Sequence, residues 1–323
     1  MIKPLQFPLC RSVGLAIGLL VGSSISTAQE ISYPVDSIRL IVPANPGGGT
    51  DTDARLFAEY LSDYTGANVA VVNQFAGGGV VAAQTVVTGE KDGSELLLYH
   101  TSIHVAKLTS TWPFGHNDFT PLATIAQFDD VVVARADAPY NTLVEFIDFA
   151  KSHPSKVTFG SQLGGTTEIK GKAIAAASDN SLRVVDAGSE SDRITALLGG
   201  QVDAIPMGVN NAQQYVESGK LKVLALLNET PSPFAPDWPT TSSQGIDLSF
   251  PLVFQVYGPK GISPKAVEAI DAVIARMKQS DEVAQSFKKA KQVLSLRNSS
   301  EASDFIEKEH DFVASFFVSS LTN

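Results

Sequence analysis

The chain has 323 residues, 44% hydrophobic and 18% charged, with 24 basic side chains against 34 acidic ones for a formal charge of −10 at pH 7. Such a surface repels nucleic acid and anionic lipid, so an anionic ligand has to be held by local dipoles and at most a few cations. The single cysteine, Cys10, excludes an internal disulfide framework and a thiolate metal cluster.

Residues 1–28 read as an export signal. Lys3 and Arg11 precede an apolar stretch at 13–21, and Ser26-Thr27-Ala28 forms a small-x-small cleavage site before Gln29. Cys10 leaves with this segment. The remaining 295 residues carry 22 basic and 34 acidic side chains, a formal charge of −12, and are long enough for two domains with cores of their own. No later stretch approaches the roughly 18 consecutive apolar residues of a membrane span, so the exported chain is expected to be soluble.

Residues 38–43 (IRLIVP) and 69–72 (VAVV) are short continuous apolar runs, the pattern of strands buried on both faces. Helices follow from Thr50, where Thr-x-x-Asp resembles a cap, and over 80–88. A third strand at 95–99 completes a βαβαβ unit, and the extended segments 121–127 and 131–135 mark a crossing into a second unit. There, helices are predicted over 143–151, 167–177 and 192–198, with strands at 157–160, 182–185, 202–206 and 221–227. Proline and serine dominate 230–243. An extended return at 250–257 precedes helices over 264–279 and 301–317. This alternation predicts an α/β chain with largely parallel sheets, its first domain made of 29–127 plus 251–323 and its second of 128–250, joined by two crossings that imply a hinge.

Two glycine triplets, Pro46-Gly47-Gly48-Gly49-Thr50-Asp51 and Phe75-Ala76-Gly77-Gly78-Gly79, stand at successive strand ends before helices. Either could be only a tight turn. Repeated at corresponding positions, they read as side-chain-free loops whose N–H groups and helix dipoles suit a carboxylate or phosphate. Enzyme signatures are weak by comparison. Gly77-x-Gly79-x-x-Ala82 matches a dinucleotide fingerprint, yet the next strand ends in Tyr99-His100-Thr101-Ser102 without the ribose-binding acid. Neither loop has the Lys-Ser/Thr of a nucleoside-triphosphate site. His100 and His104 have a metal-like spacing but lack the glutamate of a zinc protease, and Asp51 and Asp53 read as helix-start acids. No Gly-x-Ser-x-Gly elbow occurs, and Ser286-Phe-Lys-Lys289 with Ser178-Asp179-Asn180 has the wrong order for a penicillin-type enzyme. Phe57, Tyr60, Tyr64, Phe305 and Phe312 fall at helical spacing as core residues, and Trp112 and Trp238 have no assigned role.

The segments YPVDSIRLIVPANPGGGTDTDAR, VVNQFAGGG, EKDGSELLLY, AKSHPSKVTFGSQLGGTT, ALLGGQVDA, SGKLKVLAL and PTTSSQGI, in this order, resemble the periplasmic solute-binding proteins of tripartite tricarboxylate transporters, the Bug-type receptors. The resemblance spans nearly all of the chain after residue 28. It implies a type II periplasmic binding protein fold, with a hinge and an interdomain ligand cleft. It also implies a monomeric, non-enzymatic receptor without cofactor or metal, which delivers a small carboxylate to membrane permease subunits. The implied ligand-binding residues are Asn45, Pro46, Gly47, Gly48, Gly49, Thr50 and Asp51 in the first loop and Ala76, Gly77, Gly78 and Gly79 in the second. Thr101 and Ser102 follow the third strand. Ser161, Gly164, Gly165, Thr166 and Thr167 form the closing loop of the second domain, joined by Gly188, Ser189, Arg193 and Asp203. The chain departs from the family pattern at Glu168, where relatives often have histidine, and at 186–193 (DAGSESDR), where an aromatic residue is common. Arg193 is therefore either a partner for a second carboxylate or an ordinary first-turn arginine beside Asp192. An exported dinucleotide-dependent oxidoreductase and a metal-ion receptor using His100 and His104 are the alternatives.

Overall fold

The computed structural model describes residues 31–109 and 111–318. The expected signal and its cleavage site lie outside these residues. The first lobe opens with β1 (Ser37–Val42), α1 (Gly49–Thr65), β2 (Asn68–Asn73), α2 (Val80–Val87), β3 (Glu95–His100), α3 (Ser102–Leu108) and β4 (Phe119–Phe128). The second comprises β5 (Asp130–Arg135), α4 (Leu143–Ser152), β6 (Thr158–Ser161), α5 (Thr166–Ala177), β7 (Arg183–Asp186), α6 (Glu190–Leu198), β8 (Ala204–Gly208), α7 (Val209–Glu217) and β9 (Leu221–Leu226). The chain returns through β10 (Leu252–Pro259), α8 (Pro264–Lys278), α9 (Asp281–Lys289), β11 (Val293–Arg297) and α10 (Ser299–Val318). No helix among the described residues is long and apolar enough to cross a membrane.

The continuous apolar run of β1 is explained by cover on both faces. Leu40 and Val42 enter a core built with Phe57 and Leu61 of α1 and with Ile270 and Val273 of α8, while Ile41 enters a second core with Ala82, Ala83, Trp112 and Ile306. α1 starts two residues earlier than a cap at Thr50 would give, with Gly48 as its N-cap, so the helix opens on bare backbone. It ends on Gly66 at φ 70°, whose N–H takes the Ser62 carbonyl.

Both sheets are mixed rather than largely parallel. The first has the order β11-β4-β10-β3-β1-β2, with β2, β1 and β3 parallel and β10 antiparallel to both β3 and β4. The second has the order β7-β6-β8-β5-β9, with β7, β6 and β8 parallel and β5 antiparallel to β8 and β9. β5 and β10, the strands that carry the chain across, each run antiparallel to both neighbours. Leaving one sheet at a given edge and entering the next at the nearest edge forces the incoming strand to run backwards.

That topology sets the two carboxyl edges against each other. β4 runs with β3, so it ends at Phe128 on the edge where β1, β2 and β3 also end. β5 begins after a single intervening residue, Asp129, and Asp130 pairs with Gly208 at the carboxyl end of β8. β10 starts at the same place, with Leu252 opposite Phe128. The edges that carry the glycine loops and the 162–165 loop therefore flank the crossings, where open α/β sheets place ligands.

α10 belongs to both lobes. Ala302 and Ile306 are buried with Trp112 and Tyr257 of the first lobe, while Val313 is buried with Phe146, Phe159 and Leu224 of the second, and Phe312 packs on Phe250.

Candidate functional site

Each loop of interest starts from the carboxyl end of a parallel strand. After β1, Gly47 takes φ 86°, a conformation that favours glycine, and its N–H donates to Asp51 Oδ2 at 2.9 Å. Asp51 is buried and also accepts from Arg55 Nε at 2.9 Å and Asn73 Nδ2 at 3.0 Å. Burial pulls its carboxyl upward, but the Arg55, Gly47 and Asn73 hydrogen bonds together hold it below the usual carboxylate value. Across the cleft the same device recurs. Gly164 has φ 76°, and its N–H donates to Glu168 Oε2 at 2.7 Å, with Lys172 paired to that carboxylate at 2.9 Å. In both lobes an acid in the first turn of the helix fixes the positive-φ glycine four residues before it.

No side chain caps α1, α2 or α5, whose N-caps are Gly48, Gly79 and Gly165. Uncapped first-turn N–H groups and the positive end of the helix dipole form an anion-binding surface. A Cβ built on Gly48 meets nothing closer than the Asn45 carbonyl at 3.8 Å, and Gly47 and Gly164 have open space. The second triplet differs. A Cβ on Gly79 would lie 2.6 Å from Pro43 Cβ and 2.9 Å from the Trp112 ring, and one on Gly77 would lie 2.7 Å from Val80 Cγ1. Gly79 is glycine because two buried side chains close over it. Trp112, unassigned from the sequence, is part of that floor and stacks on Tyr99 with centroids 5.0 Å apart.

Known proteins align with this architecture. The family model described as "Tripartite tricarboxylate transporter family receptor" matches residues 54–312. The chain belongs to this receptor family. It is 33% identical over 266 residues to a UPF0065 protein of Bordetella pertussis, covering 81% of each chain. It is 28% identical over 281 residues to "Protein BugT" of the same organism, covering 84% of this chain and 86% of that one. Among solved structures, a TctC solute-binding protein from Polaromonas superposes with a TM-score of 0.79 at 25% identity, covering 89% of this chain and all of that one.

In this receptor the fold brings some of the expected residues to the cleft edges and commits others elsewhere. Asn45 to Asp51, Ala76 to Gly79 and Gly164 to Thr167 follow carboxyl strand ends, as does Ser102 at the start of α3. Thr101 is turned inward. It is fully buried, donates to Glu309 Oε1 at 2.8 Å and accepts from the Val253 N–H. Ser161 is likewise buried, with its hydroxyl directed at the Val185 carbonyl. Asp203 lies at the opposite end of the second sheet, where it accepts from the Thr158 N–H and hydroxyl at the start of β6, both at 2.8 Å. Ser189 caps α6 in a box with Asp192, so that helix start is already satisfied. Asp53 is not a helix-start cap. It is fully buried, neither carboxylate oxygen has a partner among the described residues, and burial pushes its carboxyl up to about 8.

Arg193 is neither exposed nor paired with Asp192. Only 4% of it is accessible, one guanidinium nitrogen donates to the Gly188 carbonyl at 2.9 Å, and Nε has no partner among the described residues. Burial lowers its pKa, with Glu190, Asp130 and Asp192 opposing. Beside it stands a group that sequence reading missed. Lys170, 1% exposed and one turn into α5, makes a buried ion pair with Asp130. Two buried cations thus stand behind the second carboxyl edge of a strongly acidic protein. Gln292 was also missed. Buried, with Oε1 unpartnered, it places Nε2 3.8 Å from the Cβ position of Gly49, and the adjacent Lys291 carbonyl accepts from Asn210 Nδ2 of the second lobe at 3.2 Å. His100 and His104 do not form a pair. His100 packs tilted against Tyr99 and edge-on against Phe254, burial lowers its pKa to about 4, and His104 turns to other partners.

Proposed function

We propose that this receptor resides in the periplasm, captures a small organic carboxylate between its lobes, and hands it to the membrane permease subunits of a tripartite transporter. It works as a monomer without catalysis, with residues 29–127 plus 251–323 as one lobe and 128–250 as the other. One observation carries the reading. The N-termini of α1 and α2 from the first sheet and of α5 from the second, none with a side-chain cap, open at carboxyl edges that the chain crosses directly between. In a chain of this net charge, local dipoles are what attract an anion. The first lobe offers dipoles and backbone N–H groups for one carboxylate. The second adds Arg193, which suits a second acidic group or a polar tail. The receptor family to which the chain belongs is consistent with the same ligand class.

Thermal unfolding of the processed protein against a panel of mono-, di- and tricarboxylates tests this. A ligand at about a hundred times its Kd adds roughly 2.7 kcal/mol to stability, several degrees in a protein of this size. The amide of an active acid should lose most of that shift, since one charge-assisted anchor contributes about 1.5 to 3 kcal/mol. A shift with NADH and with no carboxylate would overturn the assignment.

A further inference from the structure

Three histidines from distant segments meet. His104 lies on α3, His116 in the short turn His116–Asp118 before β4, and His310 on α10. Each offers a ring nitrogen within 4.8 Å of those of the other two. The ring centroids are 5.0 Å apart for His104 and His116, 5.4 Å for His104 and His310, and 4.3 Å for His116 and His310. His104 is fully buried and His116 is 4% exposed.

The hydrogen bonding decides what such a cluster can do. Glu309 Oε2 lies 3.1 Å from His104 Nε2, and Glu307 Oε2 lies 3.1 Å from His116 Nε2. A carboxylate fixes a neutral imidazole with its proton on that side, which leaves Nδ1 as a lone-pair donor. His104 Nδ1 and His310 Nδ1 are both buried without a partner among the described residues. A buried polar atom left unpaired is costly, so two unpaired ring nitrogens in one cluster call for a common partner. A carboxylate behind the far ring nitrogen, as Glu309 stands behind His104 and Glu307 behind His116, is the arrangement that orients metal-ligating histidines.

We propose that His104, His116 and His310 form a binding site for a late first-row divalent cation, Zn2+ foremost, with Glu309 and Glu307 as the supporting carboxylates. Three imidazoles select Zn2+, Co2+, Ni2+ or Cu2+ over Mg2+ and Ca2+, which prefer oxygen ligands. Zinc–nitrogen bonds of about 2.0 to 2.1 Å need nitrogens roughly 3.3 Å apart, so binding draws the rings inward by an ångström or so. The ion would tie α10 to α3 and the 116–118 turn, at the point where α10 passes from one core to the other. It is a structural ion and not the transported solute, so the proposal stands independently of the carboxylate reading.

The processed protein, stripped with chelator and dialysed, is titrated with Co2+ and then Zn2+. One Co2+ per chain with the intense visible bands of a tetrahedral site, displaced by Zn2+, is expected, together with a Zn2+-dependent rise in Tm that Mg2+ does not produce. His310→Gln, at the partly exposed position, should weaken binding at least about tenfold while circular dichroism and any carboxylate-induced shift persist. Glu307→Gln, a supporting substitution, should weaken it by about tenfold. Absence of the tetrahedral Co2+ spectrum in the parent protein, or unchanged Zn2+ affinity in His310→Gln, would overturn the proposal.

Discussion

Replacing Asp53 by asparagine should flatten the pH dependence of stability. Its carboxyl is fully buried on α1, without a hydrogen-bond partner among the described residues, and its pKa rises from 3.8 to about 8 through burial. In the unfolded chain the group releases its proton near 3.8, whereas in the folded protein it keeps the proton until about pH 8. Its contribution is therefore complete below the unfolded value and is lost as pH rises towards the folded one. Each unit of separation corresponds to about 1.36 kcal/mol, so the full loss is on the order of 5 to 6 kcal/mol. Between about pH 5 and pH 7 the parent should lose about 2.7 kcal/mol more than Asp53→Asn. Urea unfolding of both proteins across that range measures this directly. Parallel stability curves would refute the neutral buried acid.

Gly48→Val should abolish carboxylate-induced stabilisation with little change in far-ultraviolet circular dichroism, because the position has φ −83° and an open approach; retained binding would show that the loop is only a turn. Gly79→Ala should instead lower Tm, by about 2 kcal/mol or more of stability, since its Cβ would collide with Pro43 and Trp112 at φ 93°. Arg193→Ala should weaken a dicarboxylate more than its monocarboxylate analogue in calorimetric titration, while equal losses would assign the side chain to holding the Gly188 loop. Lys170→Met leaves Asp130 buried and unpaired and should cost about 3 to 5 kcal/mol in urea unfolding, most of it recovered in Lys170→Met/Asp130→Leu.

β1 was readable because it is apolar on both faces, and the long amphipathic α8 from its apolar stripe; β2 reads the same way from VAVV, yet it lies at the sheet edge without a fully buried residue, since no strand covers its outer side. Four elements were not readable. α3, α7 and α9 are seven to nine residues long, and α9 buries only Val283 and Phe287, too little for a stripe to stand out. β11 buries only Ser295 and exists because β4 offers it an edge. The cleft loops could be found from glycine content, but their internal logic could not. The pairing of Gly47 with Asp51 and of Gly164 with Glu168 joins one loop from each lobe, whereas the sequence echo suggested two loops of the same lobe. Asp203 was misplaced because a strand's residues do not reveal which end meets the ligand. Lys170, Gln292 and the histidine cluster depend on contacts between remote segments, and no local spacing encodes them.

Because Val313 is interior to the second lobe's core, with Phe312 and Phe316 packed against it, residues 128–250 are not a self-contained cassette. Swapping that stretch alone between relatives to transplant ligand preference would leave a helix from one parent seated in an apolar trough from the other. The heritable unit of specificity is therefore discontinuous, the second lobe together with the last two turns of α10, and recombination that respects only the visible lobe boundary should yield poorly folded receptors.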